Sequence, residues 1–287
     1  MHKLMACLLL ALWSFGLPQA AHAREPVLGK VLETGRITFG YVEDALPFSF
    51  LDRNGNPSGY SVDLCRAIAE EVRKELKLPK LEIEFVKVES SERVNALVHS
   101  RVDMDCSTTT QTLGRMEKVD FTFMTFVTGA SMVSLREKGS AEPSQIQGKR
   151  IAVISGTTTE VAVAQYLVEE NLTAEIIPVT NFAGGMGLVE DGSVDGFFSD
   201  RVLLMGQIMT SPMREKLQLS EELISYEPYA LMLPRDDADF RLVANRTLAN
   251  IYSGNQIGVL YRKWFGLIDP RPSTLLVSLF RLQALSE

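Results

Sequence analysis

Histidine is scarce in this chain of 287 residues. There are three, and two of them, His2 and His22, fall in the first 23 positions. Those positions read as a secretory signal. Lys3 supplies positive charge, residues 4–17 form an apolar run broken only by Ser14 and Gly16, and Ala21-His22-Ala23 is a small-x-small cleavage site. Cleavage after Ala23 leaves His99 alone, on the surface of a helix, so neither a catalytic triad nor a histidine metal centre is supported. Cysteine is equally rare. Cys7 leaves with the signal and stands before most of the apolar stretch instead of following it, which argues against a lipid anchor. Cys65 and Cys106 remain in an oxidising compartment, where they either pair or stay as buried thiols. No apolar run reaches the roughly 20 residues that span a bilayer. Positive charge is short as well: 29 basic against 36 acidic residues give −7, and losing Lys3 makes 28 against 36, or −8. That balance argues against nucleic acid and anionic membrane surfaces as partners.

What is present has the composition of a globular protein, 46% hydrophobic and 23% charged with no low-complexity tract. The pattern is α/β. Residues 36–41 read as a strand, residues 52–56 as a turn, and residues 61–76 as an amphipathic helix with Val62, Cys65, Ile68, Ala69, Val72 and Leu76 on one face. A strand over residues 81–86, a helix over 91–99 and a strand over 102–106 follow. The rhythm restarts after Pro143, with strands at 150–154, 175–178 and 194–198 and helices at 160–169 and 182–190. Apolar, β-like stretches at 121–135 and 226–233 tie the blocks together, and residues 236–264 are helical. If the last part returns to the first block, the chain crosses between two lobes twice, as a hinged clamp does. Ligands then bind in the crevice beyond the carboxyl ends of the strands. The apolar run 274–282 reads as an amphipathic helix packing on the first lobe.

Three places at strand ends carry chemistry. Ser107-Thr108-Thr109-Thr110 is followed by Arg115, hydroxyls and a guanidinium suited to a carboxylate, or equally a plain polar loop with a solvated arginine. Ser155-Gly156-Thr157-Thr158-Thr159-Glu160 opens a helix whose free N–H groups suit an anion, and it also fits a capping box with Thr157 as cap and Glu160 as its partner. Asp200 stands where an acid binds an ammonium group or caps the helix that Val202-Leu203-Leu204 begins. The glycines of Gly184-Gly185-Met186-Gly187 match neither a phosphate loop nor a dinucleotide fingerprint.

Together with Pro47-Phe48-Ser49-Phe50, Gly59-Tyr60-Ser61-Val62-Asp63-Leu64 and Lys263-Trp264-Phe265, these stretches resemble the periplasmic solute-binding proteins for polar amino acids, extracellular solute-binding protein family 3, nearest its glutamate/aspartate-binding members. The resemblance implies an α/β, two-lobed periplasmic-binding-protein fold of type II, hinged by two crossing strands. Residues 24–130 and 230–287 would form lobe 1 and residues 131–229 lobe 2. It implies a monomer that hands an amino acid to the membrane permease of an ABC transporter, with no cofactor, no metal and no nucleic acid. Arg115, Thr108 and Thr110 would hold the ligand α-carboxylate, Asp200 its ammonium, Arg93 and Ser90 a side-chain carboxylate, Thr157, Thr158 and Thr159 would close from lobe 2, and Phe48 would be an apolar wall. The chain departs from those members at Val42 and Phe182, where they carry an arginine and a histidine, and at Gly114, where an acid is usual. The family's disulfide partner for Cys106 would fall near Ala230 and Leu231, so that bridge is absent. A dehydratase of the cyclohexadienyl type, using Glu43 or Glu160 as general acid, and a sensor module for a separate receptor are the alternatives.

Overall fold

A computed structural model describes residues 26–139 and 141–286. The expected signal, residues 1–23, lies outside the described residues. Two five-stranded sheets organise the chain and repeat one plan. The first runs Glu82–Lys87, Arg36–Tyr41, Met104–Asp105, Glu227–Pro234, Val119–Thr128, with the first three strands parallel and the last two antiparallel to their neighbours. The second runs Glu175–Val179, Arg150–Ile154, Gly196–Asp200, Ala130–Leu135, Leu217–Leu219, again with a parallel trio beside an antiparallel pair. Parallel strands need helical crossovers, and these cover the sheet faces. The helix Tyr60–Glu75 buries Val62, Cys65, Ile68, Ala69 and Val72, the face its periodicity marks out.

The chain passes between sheets at Gly129, which alone separates Val119–Thr128 from Ala130–Leu135, and returns after Leu219 to enter the first sheet at Glu227 rather than at residue 230. Where the two crossing segments meet, a Cβ on Gly129 would lie 2.3 Å from the Ser225 carbonyl oxygen, so only backbone fits there. At the outer edge of the first sheet, Gln283 at the end of helix Thr274–Gln283 bonds the backbone N–H of Met124 through Oε1 and its carbonyl through Nε2, each at 2.8 Å. The same helix buries Leu276, Leu279 and Phe280, which covers an otherwise open strand edge.

Cys65 and Cys106 are joined in a disulfide. The bridge ties the helix Tyr60–Glu75 to the end of the central strand Met104–Asp105, the point from which the 107–115 loop departs. Ala230 and Leu231, the positions of the bridge that the resemblance excludes, are instead apolar core residues of the returning strand.

Candidate functional site

The carboxyl ends of both parallel trios face each other, and the side chains singled out from the sequence converge there. Ser90, Arg93, Thr108, Thr110 and Arg115 from the first lobe and Thr157, Thr158, Thr159 and Asp200 from the second line one cavity. Its apolar wall is Phe182, Leu203 and Ile154. Phe48 is not part of that wall. Its ring is fully buried, edge-on to Tyr60, Phe126, Tyr229 and Phe265 at centroid distances of 5.1–5.8 Å, and it serves the core of the first lobe beneath the cavity.

The two arginines are held within the first lobe. Arg93, at the start of helix Arg93–Val98, donates from Nε to the Ser90 carbonyl at 3.0 Å and from Nη1 to Ser107 Oγ at 3.1 Å. Ser107 Oγ passes its own proton to Asp105 Oδ2 at 2.6 Å, and Thr109 Oγ1 donates to the same oxygen at 2.8 Å. Asp105 therefore sits beneath the arginine as a buried counter-charge, with its carboxyl pushed upward by burial and pulled back by Arg93. Arg115 lies in the one-turn helix Leu113–Met116, which Thr112 caps by accepting from the Arg115 N–H, and its Nη1 donates to the Thr110 carbonyl at 2.7 Å. Burial first, then Arg93, pulls its guanidinium down to about 10, still charged at neutral pH.

In the second lobe half of the expected capping box forms: Thr157 accepts from the Glu160 N–H, but Glu160 Oε2 accepts at 2.8 Å from the Gly156 N–H, one residue before the cap. Gly156 has φ of +75°, and a Cβ there would lie 3.1 Å from Ser91 of the other lobe. Asp200 is the last residue of the strand Gly196–Asp200 and the N-cap position of helix Arg201–Thr210, yet its side chain makes no capping bond. It faces the cavity, accepting from Thr159 Oγ1 at 3.2 Å and from the Tyr229 hydroxyl.

Burial first, then Glu227, pushes the Asp200 carboxyl up to about 7, against the opposing pull of Tyr229, Thr159 and Arg93; Arg115 also lies within electrostatic reach. An acid whose native pKa exceeds its ordinary 3.8 keeps a proton that unfolding releases. This group therefore favours the native state below about pH 4, and the advantage is lost as pH climbs through 7. Denaturant unfolding of the wild type and of Asp200→Asn checks it. The wild type should lose a few kcal/mol relative to the variant between pH 4 and pH 8, and parallel pH profiles would contradict this account.

Sequence reasoning passed over Glu227, Tyr229 and Asp105. Glu227 accepts from Thr110, Thr158 and Ser225. A signal was available: an acid within a strand that is otherwise apolar and buried must find partners. It was missed because residues 226–233 read as a mere connection.

A family model for bacterial extracellular solute-binding proteins, family 3, matches residues 37–267, most of the chain and every cavity residue. The chain belongs to that family. Among relatives of this family-3 protein, the L-glutamate/L-aspartate-binding protein of Pseudomonas aeruginosa is 29% identical over 249 residues, covering 86% of this chain and 82% of the relative. The glutamate/aspartate import solute-binding protein of Escherichia coli is 29% identical over 263 residues, covering 91% and 87%. The solute receptor for L-cysteine of Neisseria gonorrhoeae superposes with a TM-score of 0.75 at 20% identity, covering 87% of this chain and 98% of that one. Such a match shows the two-lobed α/β periplasmic binding fold.

Proposed function

We propose that this family-3 protein captures an amino acid, glutamate or aspartate before others, between its two lobes and delivers it in the periplasm to the permease of an ABC-type importer. The observation that carries the reading is the pairing of opposite charges across one buried cavity. Arg115 comes from one lobe and Asp200 from the other, which matches the two ends of a zwitterion, and Arg93 beside Ser90 offers a second cation for a side-chain carboxylate. The relatives' ligands and the import named for the Escherichia coli protein point the same way. Export would rest on residues 1–23, and the jaws of the clamp would follow the two sheets.

A second reading, an amino acid with a less polar side chain, is favoured by Phe182 in the cavity wall where the acidic-amino-acid binders carry histidine. The enzyme alternative loses its nominated acids. Glu43 is half-buried and accepts from Lys87 Nζ at 2.7 Å, Glu160 bonds the backbone at the start of its own helix, and neither lines the cavity.

Thermal unfolding of the mature protein, unfolded and refolded to strip carried-over ligand, tests this against all amino acids and several dicarboxylates. A ligand at 100 times its Kd adds about 2.7 kcal/mol. Glutamate or aspartate should give the largest shift. A larger shift from a neutral amino acid transfers the assignment to the second reading, and no shift from any amino acid removes the capture reading altogether.

A further inference from the structure

Glu227 is 2% exposed at the mouth of the returning strand and is in contact with both lobes. Its Oε2 accepts from Thr110 Oγ1 of the first lobe at 2.5 Å and from Thr158 Oγ1 of the second at 2.6 Å, while Ser225 Oγ donates to Oε1 at 2.6 Å. The two threonine hydroxyls are 3.3 Å apart. Thr110, Thr158 and Arg115 line both the inner cavity and a groove outside it, but Glu227 lines only the groove. The carboxylate thus grips the two hydroxyls from behind, away from the place where a ligand would lie.

A hydroxyl has one proton to give and two lone pairs. Once Glu227 holds the protons of Thr110 and Thr158, those side chains can offer the cavity only lone pairs. Lone pairs beside Arg115 repel the carboxylate end of a ligand that the guanidinium attracts. We infer that Glu227 is a positioning residue that claims the hydroxyl protons of Thr110 and Thr158, so that an amino acid's α-carboxylate is held by Arg115 and backbone N–H groups without them and is held loosely enough to be released. This rests on the amino-acid reading above. It replaces the donor role expected of Thr110 and Thr158 with an acceptor role, which acts at the carboxylate end of the ligand beside the electrostatic effect of Glu227 on Asp200.

The test takes the amino acid with the largest thermal shift and its α-amide, which has the same ammonium and side chain but no α-carboxylate charge. Affinities are read by calorimetric titration of the mature protein. Glu227→Gln should tighten the α-acid about tenfold, the return of one or two neutral hydrogen bonds, and change the α-amide less than about threefold. Thr158→Val should cost the α-acid less than about threefold in the wild type, because that hydroxyl does not donate to the ligand, and should cancel most of the gain in the Glu227→Gln background. Equal shifts for acid and amide, a loss for both, or a tenfold loss from Thr158→Val alone would overturn the inference. Should Glu227→Gln fail to fold, Thr158→Val decides alone. If no amino acid binds the wild type, the amino-acid reading falls and takes this one with it. If amino acids bind but the acid/amide ratio stays fixed, only the role of Glu227 is lost.

Discussion

Replacing Arg115 with methionine should weaken amino-acid binding by roughly 30- to 5,000-fold, the equivalent of about 2–5 kcal/mol for stripping one partner from a buried charged pair. Methionine keeps the length and apolar stem of the side chain and removes only the guanidinium. The fold has little stake in that group. Its hydrogen bond is to the Thr110 carbonyl, within its own loop, and the Leu113–Met116 turn is capped by Thr112 through the backbone. Thermal unfolding without ligand should therefore stay close to wild type while titration shows the loss. Arg93→Met separates the ends of the ligand: it should weaken glutamate and aspartate far more than glutamine and asparagine, because Arg93 sits with Ser90 on the side assigned to a side-chain carboxylate. Uniform losses across acids and amides would place Arg93 outside the specificity pocket. An Arg115→Met protein that binds as well as wild type would remove the carboxylate subsite from this cavity.

Removing the disulfide should be the most damaging change to stability. The bridge closes a sequence separation of 41, and constraining an unfolded loop of that length is worth about 4 kcal/mol on the chain-entropy account. In a protein of this size each kcal/mol moves Tm by about 2–4 °C, so Cys65→Ala with Cys106→Ala should melt about 8–16 °C lower. Both sulfurs lie in the core, and alanine adds no polar group there. The loop that carries Thr108, Thr110 and Arg115 begins immediately after Cys106, so ligand affinity should fall with stability in this variant, whereas a Tm within a degree or two of wild type would show that the bridge constrains nothing.

Long periodic elements were legible from the sequence almost to the residue: the strand Arg36–Tyr41, the helix Phe182–Glu190, and the helix Tyr60–Glu75 within a position at each end. The helix Val27–Thr34 was not, because what fixes it is tertiary. Asp237 accepts from the Val27 N–H, and Lys30 pairs with Asp103 at 2.9 Å. The small sheet of Asp44–Ala45, Ser49–Leu51 and Pro57–Ser58 has strands too short to carry a period. In the site, the residues that touch the cavity stood at strand ends, where the α/β pattern directs attention. The residues that orient them were harder to find. Tyr229 and Glu227 are separated from Asp200 and Thr110 by a crossing between lobes, and only the folded topology joins them.

The pivot at Gly129 bears on how much work a ligand must do. Where the crossing segments touch, the Ser225 carbonyl and the Leu223 side chain press against Gly129, leaving no room for a side chain there. A glycine with no side chain of its own lets the chain turn there through its torsion angles. Contacts across the cleft lie at its rim, such as Thr158 to Glu227 and the Ala183 N–H to Asp44. Reversing a 99:1 population takes about 5.5 kcal/mol of differential binding, well within reach of one buried zwitterion. A slack joint with a selective mouth leaves the decision to close with the solute.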